Sequence, residues 1–343
     1  MKVAVIGSGI SGLAAAYRLH RYAQVTLFEA GSYFGGHTNT LDVSLPDAQG
    51  RQVTHGVDTG FLVFNERTYP GLIALLDTLQ VPTARTDMSF SVQVPGAGLG
   101  GRALEWNGAN LRSVFAQKSN LLRLRFWRML REVLRFNALC TRIAQANEDA
   151  AMQQPLADFL QQHGFDQTFR DWYFLPMLGC IWSCPTDQML RFPVATMIRF
   201  CHNHGLIQVN HRPQWWTVAG GARQYVERIV AKLSDTRLNA AVQRIERDSD
   251  GVTVYSAGGS QERFDAVVLA VHSDQALPML AQPSAQEQAV LGAIGYQPNV
   301  AVLHTDASVM PQCKAAWAAW NYERAASEAR ESARVCLHYW LNR

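Results

Sequence analysis

The first thirty residues constrain the chain more than anything that follows them. Lys2–Ile6 is a short run of β-branched and apolar residues, and three glycines come directly after it, Gly7, Gly9 and Gly12. A second apolar run, Val25–Phe28, ends on Glu29. Between the two, Leu13, Ala16, Tyr17 and His20 recur at helical spacing. Strand, glycine turn, helix, strand and acid in this order read as one βαβ unit. Gly7 permits the tight turn, Gly9 lets backbone come close to a pyrophosphate, and Gly12 lets the helix sit close to the sheet. The helix, beginning at Ser11, offers N–H groups and the positive end of its dipole to phosphate. Glu29 stands about 20 residues on, where a carboxylate accepts hydrogen bonds from a ribose. A lone G-x-G-x-x-G carries little weight; in this context it predicts dinucleotide binding.

The rest of the composition bounds the problem. A chain of 343 residues suggests two domains, or one large domain with a cap. Hydrophobic residues make up 48% and charged residues 17%, as in a globular protein. A net charge of +3 is too weak to imply a nucleic-acid partner. The cysteines, Cys140, Cys180, Cys184, Cys201, Cys313 and Cys336, are scattered, which fits thiols in a cytosolic compartment better than a disulfide framework. No apolar run is long enough to span a bilayer. Nothing in the sequence sets an oligomeric state.

After Glu29 and Ala30 comes a second glycine pair, Gly35 and Gly36, followed by His37 and Thr38. A second close approach of backbone suits a flavin dinucleotide; a plain NAD site has no need of it. On these residues the chain resembles the amine-oxidase and phytoene-desaturase-like FAD-dependent flavoproteins, whose second strand runs into E-A-x-x-R-x-G-G-R. Tyr33 and His37 stand where that pattern has arginines, so a cationic phosphate contact is lost or falls to a protonated His37. The resemblance continues through the segment 57–81, in which Gly60 would lie under the flavin ring and Asp58 would bond loop N–H groups. It also covers "WWTVAGGARQYVERI", with Gly220 and Gly221 before a helix, and "NAAVQRIER", which would set the backbone of Val242 against the adenine. "NERTYP", "MSFSV", "FWRMLR", "HNHGL" and "RPQW" resemble a bacterial amine-oxidase-like group within that superfamily.

The resemblance implies FAD as cofactor, held by Gly7, Gly9, Ser11, Gly12, Glu29, Ala30, Gly35, Gly36, His37, Thr38, Gly60 and Val242. It implies an α/β fold: a discontinuous, Rossmann-like FAD-binding domain with a doubly wound parallel sheet (residues 1–75 and 212–275) and an inserted α+β substrate or cap domain (76–211 and 276–343).

In the cap, Asp87–Val94 suggests a strand and "GGRALEWNG" a hairpin. Residues 118–142 read as a helix carrying Lys118, Arg123, Arg125, Arg128, Arg131, Arg135 and Arg142 against one acid, Glu132, interleaved with leucines and Trp127. Such a segment either touches anionic lipid headgroups or is a cap helix with one buried and one solvated face. Leu175–Leu190 resembles a cavity-lining segment of the desaturase-like flavoproteins. Cys180 and Cys184 lack the spacing of a zinc site, and His202 and His204, two apart, would not face one way on a helix. No metal is expected.

The amine oxidases of this superfamily place a lysine near the reactive flavin nitrogen, and the matching stretch here, "YQPNVAVLHT", has none. Acids that would hold a cationic amine are sparse in the cap. The expected activity is flavin-mediated dehydrogenation or oxidation of a hydrophobic small molecule or lipid, an acyl chain or an isoprenoid. A flavin amine oxidase and a non-catalytic dinucleotide-binding or lipid-handling protein remain as alternatives. The last residues are read as a charged, alanine-rich stretch and an apolar strand, without the family's further flavin-contacting element.

Overall fold

The computed structural model describes residues 1–148, 152–325 and 336–341. The chain divides into two compact units.

The first unit comprises Met1–Leu62, Pro70–Ala84 and Thr217–Ala301. Its centre is a four-stranded parallel sheet. Strand β1 (Lys2–Ile6) lies between β2 (Gln24–Phe28) and the strand Ala266–Leu269, and Asp235–Arg237 extends the sheet beyond β2. Helix α1 (Ile10–Leu19) makes the crossover from β1 to β2. Its run of alanines favours helix and leaves no bulk to hold it off the strands. Side chains alternate across a strand. Ala4, Ile6 and Phe28 therefore share one face, where they pack with Val242, Ile245, Val252, Val254 and Phe264. Leu13 and Ala16 of α1 are fully buried on the other side.

That arrangement corrects the doubly wound expectation. Helix covers one face of the parallel sheet, but the other is covered by a three-stranded antiparallel sheet, Val242–Asp248, Gly251–Ser256 and Ser260–Phe264. Val252 and Val254 alternate with Thr253 and Tyr255, and with Val242, Ile245 and Phe264 of the flanking strands they form one apolar face, which the parallel sheet covers.

The second unit comprises Val63–Tyr69, Arg85–Trp216 and the chain from Val302 on. Phe90–Val94 is the strand expected within 87–94, but "GGRALEWNG" is not a hairpin by itself: it holds the end of a 3-10 turn, Leu99–Gly101, and one strand, Leu104–Asn107, which pairs antiparallel with Phe90–Val94. Trp320–Glu323 joins Phe90–Val94 in parallel, and Cys336–Tyr339 closes the sheet. The basic segment is a 3-10 turn over Lys118–Leu122, then a helix over Leu124–Gln145. Its inner face, Phe126, Met129, Phe136, Cys140 and Ile143, enters a core with Phe159, Phe169, Phe174, Met197 and Ile198.

Four stretches fall differently from the sequence reading, with 63–69 and 212–216 in the second unit and two others in the first. Residues 276–301 fall in the first unit, where the helix Ala285–Gly292 packs on the helix Ser273–Met279. Residues 76–84 stay there too, with Arg228 donating to the carbonyls of Leu79 and Gln80. The charged, alanine-rich stretch read near the C-terminus falls largely on 326–335, outside the described residues. No helix among the described residues is long and apolar enough to cross a membrane.

Candidate dinucleotide-binding site

The glycine turn sits where β1 ends. The N–H of Gly7 donates to Phe28 O at 2.9 Å and that of Ala270 to Ile6 O at 2.8 Å, so the turn is tied to both neighbouring strands. Gly7 has φ +96°, and a Cβ on it would lie 2.5 Å from Ala270 O. A Cβ on Gly12 would lie 1.9 Å from the carbonyl oxygen of Gly7. Gly12 is thus required by the turn packing on itself, not only by helix-to-sheet approach.

Gly9 is different. It caps α1 in extended conformation with no side-chain hydrogen bond to the helix, and a Cβ built on it meets no atom within 4 Å. An uncapped helix start leaves its first N–H groups without intrahelical partners. Those groups, Ser11's exposed position and the open space over Gly9 form a cradle into which a side chain would intrude.

The acid is held by a residue the sequence reading passed over. Ser8 is fully buried. Its N–H donates to Glu29 Oε2 at 3.0 Å and its hydroxyl donates to the same oxygen. The Ser8 Oγ in turn accepts from the N–H of Gly35 at 3.0 Å. One hydroxyl therefore ties the first glycine turn, the acid after β2 and the second glycine pair. Glu29 Oε1 accepts from Gly31 N–H at 2.8 Å. The only hint in the sequence is a small polar residue between two glycines.

Ala30 is exposed beside this acid. The chain at 239–240 runs along it, with Asn239 N–H donating to Gly31 O at 2.9 Å and Ala240 N–H to Glu29 O at 2.8 Å. Val242 follows two residues later, so its backbone lies close to the expected ribose position, while its side chain is buried in the core between the two sheets.

Gly36 comes over the first turn: a Cβ on it would lie 3.2 Å from Gly9 Cα. The two glycine elements thus meet at the open space. Thr38 is buried, its hydroxyl bonded to Tyr225 OH, and serves the interior. The exposed ring of His37 stacks on His272 at 5.6 Å, which stacks on Tyr296 at 4.6 Å. Gly60 has a steric requirement inside the protein: a Cβ there would lie 2.1 Å from His37 O.

Asp58 holds a loop, as expected. Its carboxylate accepts from Ala222 N–H at 3.0 Å and from the Thr40 hydroxyl at 2.5 Å, closing the start of the helix Arg223–Val230. Burial raises its carboxyl above the ordinary 3.8. As pH rises through the raised value, the folded chain must ionise a buried acid, so this contribution is complete below 3.8 and lost above. Asp58→Asn should gain on the wild type as pH goes from about 4 to about 7. Urea midpoints at the two pH values check this; a constant difference between the proteins rules it out.

These residues fit a dinucleotide. The uncapped helix start and the empty Cβ position of Gly9 suit a diphosphate, and Glu29 suits a ribose. A broader surface concavity, lined by Lys2, His20, Tyr22, Gln24 and Asp265, lies at the opposite end of the strands. Ligands of open parallel sheets bind at the carboxyl ends of strands, so that concavity is not the site.

The second unit has its own cavity, lined among others by Phe90, Met177, Ile181, His204, Trp215 and Trp320. Met177, Cys180 and Ile181 come from the segment expected to line one. His204 faces it and His202 does not line it. The His204 ring stacks on Phe200 at 4.1 Å and its Nδ1 lies 2.9 Å from Phe200 O; burial holds its imidazole below the usual value. Burial likewise pushes the Cys180 thiol up, the opposite of a reactive cysteine. Strand pairing brings together three ligand-type groups that the sequence did not single out. Glu323, Cys336 and His338 have ligand atoms within 4.8 Å of one another, with Cys336 Sγ 3.4 Å from His338 Nε2.

Comparison with known proteins bears on both units. At 28% identity over 295 residues the chain is similar to a Mycobacterium tuberculosis protein provisionally named flavin-containing monoamine oxidase AofH; 80% of this chain and 60% of that protein align. The chain thus spans about 60% of the length of the curated relatives it matches. Among solved structures it is similar to cyclohexylamine oxidase from Brevibacterium oxydans (TM-score 0.61, 22% identity, 84% of this chain, 62% of that one). It is also similar to a putrescine oxidase (0.58, 19%, 85% and 63%) and to a CLA-producing fatty acid isomerase from P. acnes (0.55, 18%, 84% and 63%). At these identities the likeness is one of fold. The family model described as flavin containing amine oxidoreductase matches residues 10–337. That match agrees with FAD as the cofactor expected from Gly35 and Gly36, and with the glycine cradle over Gly9. The chain belongs to the flavin-containing amine oxidoreductase family.

Proposed function

We propose that this chain is an FAD-dependent oxidoreductase whose substrate is a hydrophobic small molecule or lipid, an acyl chain before an isoprenoid. The observation that carries this is the lining of the cavity in the second unit. It is built from Met88, Phe90, Met177, Ile181, Leu206 and tryptophans, and among the described residues no carboxylate lines it. A protonated amine in such a place would have no counter-ion, and the one charged lining residue, Arg212, has the wrong sign for it. Arg212 suits an anionic head such as a carboxylate.

When bound, the flavin supplies the acceptor for a hydride or its equivalent from a substrate C–H. The protein's part is to bind and orient. Gly9 and the start of α1 hold the diphosphate, Glu29 the ribose, and Ser8 keeps Glu29 and Gly35 in register. The apolar lining excludes water and fixes the chain. Contact with a membrane surface through 118–142 belongs to the same reading, because a substrate that dissolves in lipid is met at lipid.

An amine substrate is the second reading, favoured by the amine-oxidase relatives. The two separate in one experiment. The purified protein should be yellow, with FAD released on heating, and under anaerobic conditions a long-chain unsaturated fatty acid should perturb the flavin absorbance where a panel of primary amines does not. Bleaching by amines alone would reverse the order, and a colourless protein that takes up no FAD would end both.

A further inference from the structure

The surface of the second unit carries a cluster that neither the cavity nor the glycine cradle uses. Leu122 is 88% exposed, Leu124 86% and Leu111 79%; Leu121 and Trp127 are exposed beside them. A lone exposed leucine is ordinary, but a group of this kind marks an interaction surface. The group is one patch. Trp127 Nε1 donates to Leu121 O at 2.9 Å, and its ring lies 5.1 Å from that of Phe115, one helical turn from Leu111.

The charges around the patch have one sign. Arg112, Lys118, Arg125 and Arg131 are exposed. Glu132 is buried, turned inward, and accepts the N–H of Asp166 at 3.1 Å. Asp166 is paired with Arg128 at 3.1 Å. The structure therefore sorts the arginines that composition had lumped together. Arg128 and Arg135 serve internal pairs, Arg123 donates to Ala97 O and lies over Trp172, and Arg125 lies over the same Trp172 ring, whereas Lys118 and Arg131 stand outward.

We propose that this lip, Leu111, Leu121, Leu122, Leu124 and Trp127 ringed by Arg112, Lys118 and Arg131, seats the protein on an anionic lipid bilayer. Leucines and a tryptophan enter the headgroup–acyl boundary, and the basic residues meet lipid phosphates. The lip is rigidly connected to the cavity. Phe90, which lines the cavity, touches Trp106 at 6.1 Å, Trp106 touches Phe126 at 5.9 Å, Phe126 touches Phe115 at 5.9 Å, and Phe115 touches Trp127. An unbroken aromatic wall runs from cavity to lip, so docking fixes how far the cavity stands from the lipid. The proposal rests on the reading of 118–142 as membrane-facing; it does not depend on the flavin chemistry.

The test is sedimentation of the flavin-loaded protein with vesicles of phosphatidylcholine, with and without phosphatidylglycerol. The protein should sediment with the anionic vesicles only, and salt should release it. Leu122→Ser with Leu124→Ser should lower the partition coefficient about tenfold or more, and Lys118→Glu with Arg131→Glu should do the same. Both pairs should keep wild-type circular dichroism and flavin absorbance. No sedimentation at low salt overturns the proposal, as does undiminished binding by the charge-reversed pair. So does a wild-type dimer that the serine variant dissolves, because a second copy then covers the lip. A yellow protein that ignores vesicles removes the lip and leaves the flavin reading; a colourless protein that sediments does the reverse.

Discussion

Gly9→Val yields a folded protein that no longer retains flavin. The position combines two properties that rarely coincide. Its backbone, at φ −62° and ψ 176°, is one that any residue adopts, and its Cβ direction meets no protein atom within 4 Å. A valine there disturbs nothing inside the protein. It occupies the space at the uncapped start of α1 where a diphosphate would lie against bare N–H groups. Loss of the N-cap glycine costs α1 no more than about 1 kcal/mol, a shift of about 2–4 °C in melting temperature. Flavin affinity should fall at least a hundredfold, ~2.7 kcal/mol. Thermal melts of the cofactor-free proteins, with absorbance spectra after dialysis, measure the two effects separately. Full flavin occupancy in the variant would falsify the placement of the dinucleotide.

Three residues on, the same substitution acts on the fold. A Cβ at Gly12 would stand 1.9 Å from the Gly7 carbonyl oxygen and 3.2 Å from Ala270 Cβ. The first of these is backbone, in a turn hydrogen-bonded to both flanking strands, so there is no flexible side chain to give way. Gly12→Val should cost ~3 kcal/mol or more, seen as a lower urea midpoint with or without FAD, or as insoluble protein. Two glycines of one motif thus predict opposite phenotypes, one losing ligand and the other losing fold. A Gly12→Val protein with the wild-type midpoint would show that the turn is not built as described.

Ser8 shows where motif reading falls short. The spacing of Gly7, Gly9 and Gly12 announces a turn whatever stands between them. The residue between carries a buried hydroxyl that joins Glu29 to Gly35. Its two partners are 21 and 27 residues away, and a serine next to a glycine is too common to announce them. His37 and Gly60 have partners that spacing does not announce either. The ring of the first lies on His272, more than two hundred residues on, and the missing Cβ of the second makes room for the first's own carbonyl.

The sequence by itself determined what is local: the strand, turn, helix and strand of residues 2–28, the strand within 87–94, and a basic helix with an apolar stripe. Glycine spacing and apolar period act over a few residues and encode backbone conformation directly. The tertiary structure decided what covers the parallel sheet, which arginines of residues 118–142 face outward, and which side chains line the cavity. Those depend on pairing between surfaces far apart in the chain. An apolar face specifies that it must be buried and leaves open against what, so the apolar residues of 242–264 do not by themselves announce the cover of β1 and β2. For the same reason Lys118 and Arg131 could be told from Arg128 only once Asp166 had taken its place.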